Sequence, residues 1–242
     1  YTNVETVDAT MLRRWFGDGR GPLLEEGGAD FEPDALDSFE VDSKDAPAAR
    51  AALARLVNAA DAATPATFLE TLAPHLDIDA FLLFCAVELV AGQRDGYAFA
   101  VGSRNNFRLY ADPRTGRFTF IPTGMDRVMR PPEDGALVHD WVEAPAPYLS
   151  PWAAEGRLLR TCLAGDVCRA RYVAAVERVR VAYDELRLDM LVARERERLR
   201  PAVAADERWD GDLAHFDRVT SEMQSFIAGR APALLDALRH PM

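Results

Sequence analysis

The chain is short of the residue types on which several common kinds of site depend. It has three cysteines and four histidines, and His75, His139, His215 and His240 show neither the mutual spacing nor the cysteine partners of zinc ligands. It contains no phosphate-binding P-loop and no Gly-x-Ser-x-Gly nucleophile motif. The sequence therefore disfavours zinc enzymes, P-loop nucleotide hydrolases and serine hydrolases.

Basic residues and long apolar runs are also scarce. Lys and Arg number 28 against 39 Asp and Glu, which gives a net charge of −11 and disfavours nonspecific binding to nucleic acid. A basic protein or a metal-bound polyphosphate suits this charge better. The longest apolar run, from Ile78 to Ala91, contains Asp79 and Glu88 and is shorter than the roughly 20 residues that span a bilayer. We therefore expect no membrane span.

The hydrophobic content is sufficient for a large core, since 49% of the 242 residues are apolar. Cys85 lies among apolar neighbours and is predicted to be part of that core. Cys162 and Cys168 flank a Gly-Asp turn, which is compatible with a disulfide in an exported protein and equally with two reduced thiols. The sequence leaves these two states open.

Helical patterns dominate after residue 44. Before it, we predict a strand over Thr2 to Val7, a helix over Ala9 to Phe16, and then glycine-rich loops with short strands. Helix starts are indicated at Asp45 with Pro47, at Thr64 with Pro65, and at Asp77. The helix that follows Asp77 is apolar on nearly every side and ends at Gly92, which predicts a central position in the domain.

The strongest strand signal is a hairpin over residues 106–121. Phe107 and Leu109 alternate with polar residues, Asp112 begins a turn, and Phe118 and Phe120 resume the alternation. Farther along, apolar residues return at helical spacing in three regions: around Tyr172, from Leu188 to Leu199, and from Phe216 to about Leu238. The fold class predicted is α+β, mainly helical, with a short central β-hairpin.

Two carboxylates and an Asn pair flank this hairpin, in the order that phosphoryl transfer requires. A helix leads to Asp95, Asn105 and Asn106 precede the first strand, and Asp126 follows the second. Protein kinases use a catalytic Asp and Asn and then a second Asp that binds the metal ion. Each residue also has a plainer interpretation, because Asp and Asn are common in turns and caps.

The segments that contain these residues, together with both ends of the chain, resemble a known protein family. The segments YTNVETVDATMLRRWFGD, DGY, NNFRLYADPRTGRFTFIP with the Asp that follows, and MQSFIAGRAPALLDAL resemble the CotH kinases, atypical protein kinases found in spore coats and in secreted surface proteins. The resemblance covers nearly the whole chain. It implies a single atypical protein-kinase-like domain over residues 1–242, with residues 1–44 as the remnant of an N-terminal lobe and 45–242 as a helical C-terminal lobe.

The resemblance also implies roles for individual residues. Asp95 would be the catalytic carboxylate, and Asn106 and Asp126 would bind Mg²⁺. Glu5, Asn106 and Arg127 would contact the ATP cofactor, although Glu5 is compatible with a solvated strand position and Arg127 with a surface ion pair. The implied reaction transfers the γ-phosphoryl group of ATP to Ser or Thr of a protein substrate, for which a basic, Ser-rich protein suits the acidic chain.

Two departures from the family pattern keep an alternative function open. The family has Ile-Pro-Trp-Asp-x-Asp after the second strand, whereas Gly124 stands here at the place of the first Asp. The phosphate-covering strands of a kinase-like N-terminal lobe would precede Tyr1. The alternative is a catalytically inactive, kinase-like surface or scaffold protein; a metal-dependent hydrolase that uses Asp95 and Asp126 ranks last. By the same resemblance, an extracellular, cell-surface or spore-coat location is favoured over a cytoplasmic one.

Overall fold

Helices form most of the computed structural model, which describes residues 5–100, 102–129, 150–208 and 212–239. Within those ranges the helices are α1 Ala9–Phe16, α2 Ala46–Ala62, α3 Phe68–Leu72, α4 Ile78–Ala91, α5 Arg157–Leu163, α6 Asp166–Glu185, α7 Leu188–Ala205 and α8 Leu213–Arg239. The strands are β1 Leu23–Glu25, β2 Glu40–Val41, β3 Phe107–Ala111 and β4 Phe118–Pro122, and Pro33–Ser38 and Met125–Arg127 are short 3-10 segments. The mainly helical α+β fold predicted from the sequence is confirmed.

The four strands form one antiparallel sheet in the order β2-β1-β3-β4. The predicted hairpin is confirmed, because β3 pairs with β4 with Leu109 opposite Phe120. On its other side β3 pairs with β1, where Leu24 lies opposite Leu109. Residues from the first 44 positions thus share a sheet with the hairpin, and Asn106 and Thr123 lie together at its open end.

Helix α4 lies at the centre of the core, as its apolar composition predicts. The Asp77 side chain accepts a hydrogen bond from the Ala80 N–H at its start, and Gly92 ends it in a left-handed conformation. The helix packs against β4, α6 and α8. A cluster of aromatic rings joins the helix to the sheet and the loops. Phe81 and Phe84 come from α4, Phe107 and Phe120 from the strands, and Phe31 and Tyr97 from the loops.

Helix α1 packs on the other face of the sheet. Leu12 joins a small buried cluster with Leu23, Tyr110 and Ile121, and Asp8 caps the helix through the N–H groups of residues 10 and 11. The prediction of a strand over Thr2 to Val7 is wrong for residues 5–7, which form no regular structure, and residues 1–4 lie outside the described residues. The Asp8 cap begins the helix directly after this segment.

A disulfide between Cys162 of α5 and Cys168 of α6 links these two helices. The sequence left a disulfide and two reduced thiols open, and the structure contains the disulfide. Both cysteines are buried. Cys85 is buried and free, as its apolar neighbours predict. In the described part of the chain, no helix combines the length and the apolar character that crossing a membrane requires.

Candidate phosphoryl-transfer site

The C-terminal end of α4 carries the segment that contains Asp95. Arg230 of α8 is buried, and its guanidinium donates to the backbone carbonyls of Leu89 and Val90 in the last turn of α4. The Met129 N–H donates to the carbonyl of Ala91 at 2.7 Å. A cation at a helix C-terminus is favourable because the last carbonyls carry partial negative charge. Helix α4 therefore has a fixed end from which residues 92–100, here called the Asp95 loop, begin.

Glu88 fastens the Asp95 loop back onto α4. Its two carboxylate oxygens accept hydrogen bonds from the N–H groups of Tyr97 at 2.9 Å and Ala98 at 2.7 Å. Gly96 lies so close to this carboxylate that a Cβ atom would collide with it. Burial raises the pKa of Glu88 to about 8, against the lowering effect of the two N–H groups. The Gly of the Asp-Gly-Tyr motif is thus required by a buried carboxyl group.

The far side of the loop is held by a second carboxylate, that of Asp30. It accepts hydrogen bonds from the Tyr97 hydroxyl at 3.1 Å and the Arg157 N–H at 2.8 Å, and it forms an ion pair with the largely buried Arg104 at 3.2 Å. Arg104 also donates to the Ala100 carbonyl. Because buried charges require such partners, this group of contacts fixes the path of the loop.

Asp95 is half-buried at the rim of the loop. Its Oδ1 accepts a long hydrogen bond of 3.4 Å from the Asn105 side chain, and its N–H donates to the Gln93 side chain, also at 3.4 Å. Its backbone carbonyl accepts from the Asn106 amide at 2.6 Å. The Asp95 carbonyl is therefore held by a short hydrogen bond and its N–H by a long one, while the carboxylate keeps oxygen atoms for a further ligand.

Asn106 connects the Asp95 loop to the end of the hairpin. Its backbone is left-handed, with φ of 58°, a conformation that Asn tolerates better than most residues. Its N–H donates to the Glu26 carboxylate at 3.0 Å, and its carbonyl accepts from the Thr123 N–H at 2.9 Å. Partial burial raises the pKa of Glu26. Together with the hydrogen bond from the Asn106 side chain to the Asp95 carbonyl, these contacts connect the segments of Glu26, Asp95 and Thr123 at one residue.

Gly124 lies directly against the side chain of Asn106. Its φ of 55° is left-handed, and a Cβ atom there would overlap the Asn106 Oδ1. The position at which the family pattern has an Asp is thus occupied, in space, by the Asn106 amide. The local geometry thus favours glycine at position 124, apart from any loss of the family's carboxylate there.

Asp126 lies in the 3-10 turn Met125–Arg127, two residues after Gly124. Its side chain is exposed and has no hydrogen-bond or ion-pair partner among the described residues. The Arg127 side chain lies outside what the structure describes. Asp95, Asn106 and the turn that carries Asp126 are therefore brought to one end of α4.

Glu5 is engaged elsewhere. Its carboxylate forms an ion pair with Arg14 at 2.7 Å and accepts a hydrogen bond from the Trp15 indole N–H at 3.3 Å. Both partners lie on α1, which packs on the opposite face of the sheet from α4. Glu5 is not brought into contact with the Asp95 loop, and its role toward the cofactor stays a prediction.

The oxygen donors in this region fit a hard cation such as Mg²⁺. The Asp95 and Asp126 carboxylates and the Asn106 Oδ1 are of the type that Mg²⁺ prefers, and Mg²⁺ commonly binds through one or two carboxylates together with phosphates and waters. In the ranges that the structure covers, no three His, Cys, Asp or Glu side chains converge as a preformed metal cage.

Several residues that shape the site were missed by sequence reasoning: Glu26, Glu88, Gln93 and Arg104. Glu88 gave a usable signal, because one carboxylate in a helix that is apolar all round needs a buried partner. The other three gave none. Their partners lie 31 or more positions away in sequence or in irregular loops, where hydrophobic periodicity carries no information.

The fold is a mainly helical α+β domain in which the Asp95 loop, Asn106 and the turn of Asp126 are grouped at the end of a central helix. In the comparison with known families, the sequence model described as CotH kinase protein matches residues 1–234. The chain therefore belongs to the CotH kinase family. No curated protein matches it significantly.

Proposed function

We propose that this protein transfers the γ-phosphoryl group of ATP to a Ser or Thr hydroxyl of a protein substrate. The observation that carries the proposal is the joining of the Asp95 loop, Asn106 and the turn of Asp126 at the end of α4, in a chain of the CotH kinase family. In this proposal Asp95 orients and deprotonates the substrate hydroxyl. Its half-buried carboxylate, on a loop whose main chain is hydrogen-bonded, supports that role.

Asn106 and Asp126 are proposed to hold Mg²⁺ with the nucleotide. The Asn106 Nδ2 is committed to the Asp95 carbonyl, which leaves Oδ1 as the free oxygen of the amide. Asp126 offers an exposed carboxylate with no competing cation among the described residues. When bound, Mg²⁺ neutralises phosphate charge. Arg127, adjacent to Asp126, is the candidate contact for a phosphate oxygen.

The substrate is proposed to be a basic, Ser-rich protein. The chain carries a net charge of −11, so a basic partner is attracted and an acidic one is repelled. The Cys162–Cys168 disulfide supports an extracellular, cell-surface or spore-coat location, because disulfides persist in oxidising compartments.

We also propose that residues 1–242 form one domain. Residues 1–44 would be the remnant of an N-terminal lobe, and residues 45–242 a helical C-terminal lobe. One hydrophobic cluster contains residues from Leu24 to Leu234, which supports a shared core. The strand pairing between β1 and β3 crosses the division.

A second candidate is a kinase-like surface or scaffold protein without activity. Gly124 favours it, since one carboxylate of the family pattern is missing and its place is taken by the Asn106 amide. Loss of a group that neutralises phosphate charge costs orders of magnitude in rate.

Titration with Mg-ATP tests the nucleotide and metal assignment on which the first candidate depends. In calorimetry, the native protein is expected to bind Mg-ATP, and Asp126→Asn to bind it at least about tenfold more weakly, as expected when a metal ligand is weakened. Asp184→Asn is the matched control, because Asp184 is an exposed carboxylate on α6 that pairs with Arg180. Native protein that binds no Mg-ATP, or an Asp126→Asn variant that binds like the control, would contradict the assignment.

A further inference from the structure

Gln93 is a buried polar residue at the junction of the site. Its exposed fraction is 0%, although it immediately follows the residue that ends α4. Its N–H donates to the Glu88 carbonyl at 2.8 Å, which continues the hydrogen bonding of the helix end. The side chain therefore extends from a fixed backbone position toward the turn that carries Asp126.

The Gln93 side chain bonds both within the Asp95 loop and across to the turn that carries Asp126. Its Nε2 donates to the Gly124 carbonyl at 3.2 Å and contacts the Met125 sulfur at 3.4 Å. Its Oε1 accepts from the Asp95 N–H at 3.4 Å. One amide group therefore connects the residue proposed as catalytic carboxylate to the turn that carries Asp126.

This bridge runs parallel to the one made by Asn106. Asn106 bonds to the Asp95 carbonyl and to the Thr123 N–H, whereas Gln93 bonds to the Asp95 N–H and to the Gly124 carbonyl. The two bridges together fix both backbone groups of Asp95. Gln93 is the buried residue of the two, so a ligand that binds at the surface does not compete for its hydrogen bonds.

We propose that Gln93 is a positioning residue that sets the separation of Asp95 and Asp126 for phosphoryl transfer. This role rests on the proposed function for the reaction that it serves, while the mechanical coupling of the two loops stands on the contacts alone. Misplacement of a reacting group by about 1 Å costs on the order of a hundredfold in rate, so two weak bonds at this point have a large effect.

Two substitutions at Gln93 and one control test the proposal in the full chain. Gln93→Met keeps the length of the side chain and removes the amide, and Gln93→Glu keeps an acceptor for Asp95 but places a carboxylate oxygen against the Gly124 carbonyl. Gln224→Met is the matched control, because Gln224 is the other glutamine of the chain and donates to the Asp189 carbonyl between α8 and α7.

The first measurement is amide hydrogen exchange, which requires no activity. Gln93→Met is expected to speed exchange in residues 92–100 and 121–129 together, whereas Gln224→Met leaves both segments at the native rate. If exchange in both segments stays at the native rate in Gln93→Met, or rises in only one of them, the coupling is refuted.

The second measurement is steady-state phosphorylation of a basic, Ser-rich peptide. We expect kcat of both Gln93→Met and Gln93→Glu to fall about ten- to hundredfold with KM for the peptide unchanged, because each variant loses the donor to the Gly124 carbonyl. A structural role alone would lower the melting temperature and leave kcat of the folded protein near the native value, which would overturn the positioning role. A native protein that transfers no phosphate refutes the proposed function, and the exchange rates alone then decide the coupling.

Discussion

A buried carboxyl group, Glu88, holds the Asp95 loop, and its environment makes the protein sensitive to pH. Both of its oxygens accept backbone N–H groups, yet burial raises its pKa from 4.5 to about 8. The folded state therefore binds a proton at pH values at which the unfolded chain has released it. The stability that comes from this proton is complete below about pH 4.5 and is lost as the pH rises toward about 8.

Glu88→Gln is expected to remove this pH dependence. The amide cannot titrate, and because its NH₂ group cannot accept from Ala98, the variant loses a constant amount of stability at every pH. Urea unfolding across the range should show the native free energy of unfolding falling relative to that of the variant, by up to about 1.4 kcal/mol for each pH unit. Parallel profiles for the two proteins would show that Glu88 does not titrate in this range.

The collision at Gly124 gives a second prediction at the scale of single residues. Gly124→Ala is expected to destabilise the protein by about 1 kcal/mol for its left-handed backbone and by about 1–3 kcal/mol more for overlap with the Asn106 amide. Gly116→Ala is the control, because Gly116 is also left-handed, with φ of 70°, but has open space around its Cβ position. Equal losses in chemical denaturation would mean that the Asn106 amide moves aside freely.

The same geometry predicts what the family's carboxylate would do at this position. Gly124→Asp introduces the Asp of the family pattern, but its Cβ would displace Asn106 from the Asp95 loop. We therefore expect Gly124→Asp to bind Mg-ATP no more tightly than the native protein. Tighter binding in calorimetry would show that Gly124 is simply a lost ligand.

At the scale of elements, the end of α4 depends on a residue from a distant helix. Arg230 of α8 is buried and bonds to the Leu89 and Val90 carbonyls. Hydrogen bonds to a charged group contribute about 1.5–3 kcal/mol each, and removal of the cation leaves buried carbonyls without that donor. The packing of α8 on α4 is thus an electrostatic contact as well as an apolar one.

Arg230→Met is expected to reduce the free energy of unfolding by about 2–4 kcal/mol. Arg218→Met is the comparison on the same helix, because Arg218 is exposed, pairs with Glu222, and should cost less than about 1 kcal/mol. Urea denaturation of both variants tests the difference. Similar losses would mean that Arg230 contributes no more than a surface ion pair.

Elements with local signals could be predicted from the sequence. Asp77, the apolar residues after it and Gly92 gave both ends of α4, and the alternation around Phe107 and Phe118 gave the hairpin. The strand predicted over Thr2 to Val7 failed over residues 5–7, because an extended apolar-polar pattern there feeds a capped helix rather than a sheet. Local propensity fixes elements but does not determine their partners.

The candidate site was predictable only in part, for the same reason. The order of Asp95, Asn106 and Asp126 along the chain indicated the kind of chemistry, and the hairpin brings the last two segments together. The residues that hold this region, Gln93 and Arg104, form hydrogen bonds to positions far away in sequence, Gly124 and Asp30. Their role follows only from the three-dimensional contacts.

At the scale of the whole molecule, the chain is a member of the CotH kinase family in which the proposed reacting groups lie at the end of a central helix and are held by buried polar side chains. Catalytic function requires that Asp95 act on a substrate hydroxyl. The scaffold alternative requires only that the fold persist. Both share the same core, so stability measurements do not separate them.

Phosphate transfer from γ-labelled Mg-ATP to a basic, Ser-rich peptide tests the central claim most directly. The native protein is expected to incorporate label, and Asp95→Asn, which keeps the side-chain shape and the backbone contacts, to be slower by at least about a hundredfold, as removal of a general base predicts. Asp184→Asn should match the native rate. Label incorporation at equal rates in the native protein and Asp95→Asn, or none in the native protein at any Mg²⁺ concentration, would contradict the account.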